Sequence, residues 1–203
     1  SLNNLAFLHR KQQNWEQAEP LYQQALDIYM LEGNAYPRAA VLTMNNLAIL
    51  YLHQKRYDDA ETILQKALEL SQEWLDENHP LQASLANTLG GLYATLDQPD
   101  KAIPLFERAL DIRQEVFGAD HMNLAILHAN LGEAYKNVEQ YPDSIHHHKN
   151  ALTILHQKVG KRNDRTLNQA CSLAQVWCDN KQWEEARKLL LEALESASGD
   201  TLS

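Results

Sequence analysis

Cysteine, glycine, proline and positive charge are all scarce in this chain. Two Cys in 203 residues cannot build the disulfide framework of a small extracellular domain. Seven Gly and six Pro exclude a collagen-like or low-complexity chain, and 44% apolar with 22% charged residues is ordinary globular composition, which excludes intrinsic disorder. Eighteen Lys and Arg face 27 Asp and Glu, a formal net charge of -9 with a sequence pI near 5.4. That is the wrong sign for neutralising phosphates, so no nucleic acid partner is expected. No window approaches the ~20 consecutive apolar residues of a membrane span, and no membrane insertion is expected. The N-terminus lacks the basic, apolar, small-residue order of a secretory leader. Ser1 falls inside a helical pattern with no initiator Met, so the chain is expected to be part of something longer.

The cysteines suggest a compartment. Cys171 and Cys178 are seven apart, about 10 Å along one helix face at ~1.5 Å per residue, while a disulfide needs Cα atoms within ~7 Å. They should not pair, and two free thiols suit a reducing cytoplasm.

Catalytic constellations are missing too. There is no Gly-rich phosphate loop, no Gly-x-Ser-x-Gly elbow, no His-Glu-x-x-His helix and no Cys-x-x-Cys pair. Neither an enzyme nor a cofactor is expected. The run His146-His147-His148 cannot chelate one ion as a unit, because consecutive helical residues point about 100° apart, and no metal site is expected. His148 nevertheless occupies the repeat position of Tyr22, Leu64, Phe106 and Leu190, and His128 that of Leu2, Met44 and Ala86. The two are expected to face each other as buried, hydrogen-bonded histidines.

The chain is organised by a period, which is the basis of those comparisons. Trp15-Glu16-Gln17-Ala18, Tyr57-Asp58-Asp59-Ala60, Pro99-Asp100-Lys101-Ala102, Tyr141-Pro142-Asp143-Ser144 and Trp183-Glu184-Glu185-Ala186 begin 42 residues apart. Small residues recur seven further on at Ala25, Ala67, Ala109, Ala151 and Ala193, each followed by Leu. A second register holds Leu5-Ala6, Leu47-Ala48, Leu89-Gly90, Leu131-Gly132 and Leu173-Ala174. Within each period apolar residues fall at i, i+3, i+4 and i+7, the helical spacing, and no stretch alternates as a strand would.

Each unit therefore reads as two antiparallel amphipathic helices: 2-13 with 15-31, 38-54 with 57-75, 80-96 with 99-117, 122-138 with 141-159, and 164-180 with 183-198. Acidic residues gather in the first turns of the second helices, where exposed N–H groups and the dipole favour them. Pro37, Pro80, Pro99 and Pro142 mark helix entries. Pro20 and Pro104 lie further in and should perturb their first turns, and His79 and His121 should serve the turns before their helices. One pair cannot bury its own apolar faces, so pairs must stack. The expected fold is an all-α, right-handed superhelical solenoid of five antiparallel helix pairs. It is read as one array over 1-203, with units of about 1-36, 37-78, 79-120, 121-162 and 163-203.

The pattern Leu-Asn-Asn-Leu-Ala-x-Leu, followed by aromatic-acidic-x-Ala-x-Pro-Leu-x-x-x-Ala-Leu-x-Ile, resembles the tetratricopeptide repeat in the 42-residue form of the kinesin light chain and its bacterial relatives. Residues 2-29 carry it best, and Asn78-His79-Pro80 and Asp120-His121 resemble that family's connector. The resemblance implies a protein or peptide ligand in a groove lined by the first helix of each pair. The inward positions are Asn3, Asn4, Phe7, Arg10 and Lys11, then Leu42, Asn45, Asn46, Ile49 and His53. Ser84, Asn87, Thr88, Gly91 and Thr95 follow, then Ile126, Asn130, Glu133, Lys136 and Asn137, and lastly Asn168, Ser172, Gln175 and Asp179.

Asn is unfavourable inside helices, so its recurrence at Asn4, Asn46 and Asn130 needs a reason. A row of carboxamides can hold an extended backbone, or it can bond between neighbouring helices and stiffen the array. The leading functional reading is a protein-interaction module. The alternatives are an intramolecular sensor array of a larger signalling protein and a scaffold that self-associates through exposed terminal repeats.

Overall fold

A computed structural model describes residues 1–31, 35–119 and 121–198; Asp120, quoted for the connector, lies outside them. The chain divides into two compact units, Ser1–Gln98 and Pro99–Ser203. The first holds α1 (Leu2–Lys11), α2 (Trp15–Leu31), α3 (Pro37–His53), α4 (Tyr57–Trp74) and α5 (Pro80–Thr95). The second holds α6 (Pro99–Phe117), α7 (Met122–Asn137), α8 (Tyr141–Val159), α9 (Asp164–Asp179) and α10 (Trp183–Ser198). No strand occurs among the described residues. The fold class is all-α helical repeat, as the period requires.

Sequential neighbours pack along each unit: α1 on α2, α2 on α3, α3 on α4 and α4 on α5, with α3 also against α5. In the second unit the order is α6 on α7, α7 on α8, α8 on α9 and α9 on α10. The recurrent small residues are buried at these crossings. Ala6, Ala18, Ala48, Ala60, Ala67, Ala102, Ala109, Ser144 and Ala151 are wholly inaccessible, and a side chain no larger than Ala lets two helix backbones approach closely. Ser144, at the position of Ala18 and Ala60, hides its polarity by donating from Oγ to the Gly132 carbonyl at 2.7 Å. Larger residues fill the remaining space: Leu152 of α8, Leu173 and Trp177 of α9 and Ala186 of α10 belong to one cluster, with Leu189 at its edge.

The turn inside each pair shows what the sequence did not. Gln13, Lys55, Asp97, Glu139 and Lys181, spaced by one period, all have φ between 56° and 62°. None is glycine, although the left-handed region costs other residues ~1 kcal/mol. Each turn recovers a six-to-one bond of the Schellman type: Asn14 N–H to His9 O, Arg56 to Tyr51, Gln98 to Tyr93, Gln140 to Tyr135 and Gln182 to Trp177, at 2.7 to 2.9 Å.

The connectors between pairs are capped as foreseen. His79 and His121 accept from Leu81 N–H and Asn123 N–H through ring Nδ1, each at 3.2 Å. Asn163, one period on, does the same for Arg165 N–H at 3.0 Å. Burial, reinforced by Arg38, holds the His79 ring below its ordinary pKa, so Nδ1 stays free to accept. α2 and α6 run through Pro20 and Pro104. Each proline removes one N–H bond, to the carbonyl of Glu16 or Asp100 near an exposed helix entry where water can replace it.

Candidate ligand groove

In the first unit the asparagines turn toward one another. Asn3 Oδ1 of α1 accepts from Thr43 Oγ1 at 3.1 Å and from Asn46 Nδ2 at 3.5 Å, both on α3. Asn45 and Asn46 are buried, whereas Asn4 is exposed. Phe7 is partly exposed, with the Arg10 guanidinium 5.1 Å and the Lys11 ammonium 5.5 Å from its ring centre. Ile49 is half-buried, and exposed His53 stacks on Trp15 at 4.9 Å. On α5, Thr88 and Thr95 bond back to Ser84 O and Gly91 O of their own helix, while Asn87 is half-buried.

In the second unit the first helices of neighbouring pairs, α7 and α9, bound an open cavity of about 420 Å³. Met122, Ile126 and Asn130 line it from α7, Leu155 floors it from α8, and Arg165, Asn168, Gln169 and Ser172 line it from α9. Ile126, Asn130, Asn168 and Ser172 are among the inward positions read from the register. Glu133 and Lys136, expected beside them, pair with each other one turn along α7, and Asn137 is exposed. Gln175 donates to Asp179 Oδ1 at 2.8 Å, both exposed further along α9.

The histidines pair differently from the expectation. His128 meets His147, Nδ1 to Nδ1 at 2.9 Å, while His148 takes other partners. Its ring, fully buried, lies over Gly132 and against Gln169 of α9, whose Nε2 is 2.7 Å from His148 Nδ1. The other ring nitrogen, Nε2, lies 3.7 Å from Glu133 Oε1. The reason is angular. Adjacent helical residues are about 100° apart, so position 147 meets α7 at His128, while position 148 sits between α7, at Gly132 and Glu133, and α9, at Gln169.

Burial pushes His128 and His147 down to about 4, with neighbouring imidazoles adding to the effect. Burial also lowers His148, against the attraction of Glu133. Tyr135 stacks on His147 at 5.4 Å and donates its hydroxyl to Glu107 at 2.6 Å; burial and that carboxylate raise the phenol to about 12. Among the described residues no group of three or more His, Cys, Asp or Glu is arranged to hold a metal ion.

Sequence reasoning missed Gln169, Leu155, Arg165 and Met122. The signal for Gln169 was present: positions 127 and 85, one and two periods earlier, are Leu, so a Gln there demands a buried polar partner. Position 147 carried a similar signal, since its counterparts are Leu21, Ile63, Leu105 and Leu189.

Comparison with known proteins follows the geometry. Residues 38–115 and 82–155 match one form of the tetratricopeptide repeat, and 1–29 and 166–197 match another. The crystal structure of BtubC (BKLC) from P. vanneervenii is 23% identical and superposes with a TM-score of 0.88, covering 98% of this chain and 79% of that one. The kinesin light chain nearly identical TPR-like repeats of Podosopora anserina are 18% identical, with a TM-score of 0.83 over 100% and 96% of the two chains. MamA of AMB-1 is 20% identical with a TM-score of 0.69 over 98% and 99%. At these identities the likeness is one of fold. Among curated proteins none matches. With its whole central stretch and both flanks matching, and with helix pairs repeating every 42 residues, the chain belongs to the tetratricopeptide repeat family.

Proposed function

We propose that this chain is a non-catalytic interaction module that holds a linear peptide segment or helix of a partner protein against the first helices of its repeats. Tetratricopeptide repeats mediate protein–protein interaction, and the observation that carries the finer reading is the cavity between α7 and α9. It is large enough for one bulky side chain. Its lining mixes exposed Ile126 and half-buried Met122 with the carboxamides of Asn168 and Gln169, the combination of apolar contact and a few directed polar groups that marks a binding site. No described helix is long and apolar enough to cross a membrane, and the free thiols of Cys171 and Cys178 support placing the module in the cytoplasm.

The test is selection of random linear peptides on the immobilised chain. Selected peptides should lose at least about tenfold in affinity, ~1.4 kcal/mol, with Ile126→Lys and bind normally to Glu69→Gln, which alters an exposed residue of α4. Equal affinity for both variants would reject the groove.

One observation favours a second reading, self-association. Leu190 and Leu194 of α10 are 41% and 62% exposed, whereas His148 and Leu152 at the same repeat positions of α8 are 0% and 7% exposed under α9. Sedimentation of the chain against Leu194→Lys decides it: a concentration-dependent mass that the variant abolishes supports association through α10.

A further inference from the structure

The groove of the second unit has a hydrogen-bonding polarity that is set from behind it. Gln169 lines the cavity yet is only 7% exposed. Its amide nitrogen lies 2.7 Å from His148 Nδ1 and 3.4 Å from the His148 carbonyl oxygen. A backbone carbonyl can only accept. The nitrogen of the carboxamide therefore faces His148, and Nδ1 is the accepting, unprotonated ring nitrogen. The ring hydrogen then sits on Nε2, 3.7 Å from Glu133 Oε1, where an acceptor is the compatible neighbour. The ring cannot swing aside, because it is fully buried and lies so close over Gly132 that even a Cβ there would come within 2.6 Å of it. With both amide hydrogens turned to His148, the oxygen is the atom Gln169 has left for a ligand.

We propose that His148 is a positioning residue for ligand binding. By fixing the Gln169 carboxamide, it makes the α7–α9 groove a receptor for an extended, acidic peptide that donates a backbone N–H to Gln169 Oε1 and seats an apolar side chain between Ile126 and Leu155. The inference rests on the groove reading above and adds its polarity. Arg165 supplies the direction of charge. It is the one charged residue among the described residues lining the cavity, and it is exposed. A carboxylate beside the apolar side chain of the ligand meets its guanidinium.

The experiment uses peptides selected from a random display library on the whole chain, followed by an N-methyl scan that removes one backbone N–H at a time. With the wild type, methylation at one position next to the apolar anchor should weaken binding about tenfold or more, against a base level near twofold elsewhere. That penalty should collapse to the base level in Gln169→Leu and in His148→Phe. Leu85, Leu127 and Phe106 occupy these positions in other repeats, so both variants suit the fold, and thermal melts check it. Gln169→Glu provides a control: the ring takes its other tautomer and donates from Nδ1 to one carboxylate oxygen, while the second oxygen still accepts the ligand N–H, so the penalty should persist there. Peptides that bind with no sensitive amide, or with the same penalty in all variants, overturn the roles of His148 and Gln169 and leave the groove standing. Failure to select any peptide, or peptides indifferent to Ile126→Lys, overturns both.

Discussion

His128 and His147 bring their Nδ1 atoms to 2.9 Å of each other across the contact of α7 with α8. Two imidazole nitrogens that close share a single hydrogen, one donating and one accepting. The arrangement needs the accepting ring neutral and is lost once both are charged, and burial keeps both at about 4.

This gives a pH dependence of stability. Unfolded, each ring titrates near ~6.5, so between about pH 6.5 and 4 the unfolded chain binds more protons than the folded one. Stability is constant with respect to these groups above 6.5 and falls as the pH drops toward 4. The pair titrates as a coupled unit and neither ring is fully buried, so the loss should be roughly 2 kcal/mol. The double change His128→Ala with His147→Leu, which copies Ala86 and Leu105 of the preceding repeat, should flatten this limb. Urea unfolding at pH 7 and pH 5 measures it; an unchanged difference between the two pH values in the double variant removes the assignment.

Gly132→Ala should be costly for a reason that lies sixteen residues away. Its Cβ would come within 2.6 Å of the His148 ring, and overpacking of this kind costs ~1 to 3 kcal/mol. Adding His148→Leu recreates the Ala48 and Leu64 combination of the second repeat and should recover most of the loss. A double-mutant cycle on melting temperature tests the coupling, and additive effects would refute it.

Asn46→Ala should lower stability, by about 1 kcal/mol, because the carboxamide is buried and bonded to Asn3. Asn4→Ala, on an exposed position, should leave the melt unchanged. A row of asparagines serving only ligand contact would leave both melts alone.

Asp97 occupies the left-handed region at φ 56°. Asp97→Gly should be neutral or slightly stabilising, since relief of strain offsets the added freedom of the unfolded chain. Asp97→Val should cost about 1 kcal/mol or more, because a β-branched residue tolerates this region poorly. Chemical denaturation should place Asp97→Val below the wild type and Asp97→Gly at or above it.

The period, the helix pairs, their boundaries to within two residues and the buried small residues were legible in the chain itself. They depend on spacing along one helix, and the 42-residue repeat states that spacing five times. The Schellman turns were not legible, because no glycine marks Gln13, Lys55, Asp97, Glu139 or Lys181; the six-to-one bond that closes each turn offsets a conformation their own preferences oppose. Nor did the sequence assign partners to adjacent histidines. Both His147 and His148 replace apolar residues, and only the packing of α7 and α9 against α8 sends the first to His128 and the second to Gln169. A side chain's class is a property of its own position, whereas its hydrogen-bond partner depends on which neighbouring helix its direction meets, and that is decided by packing.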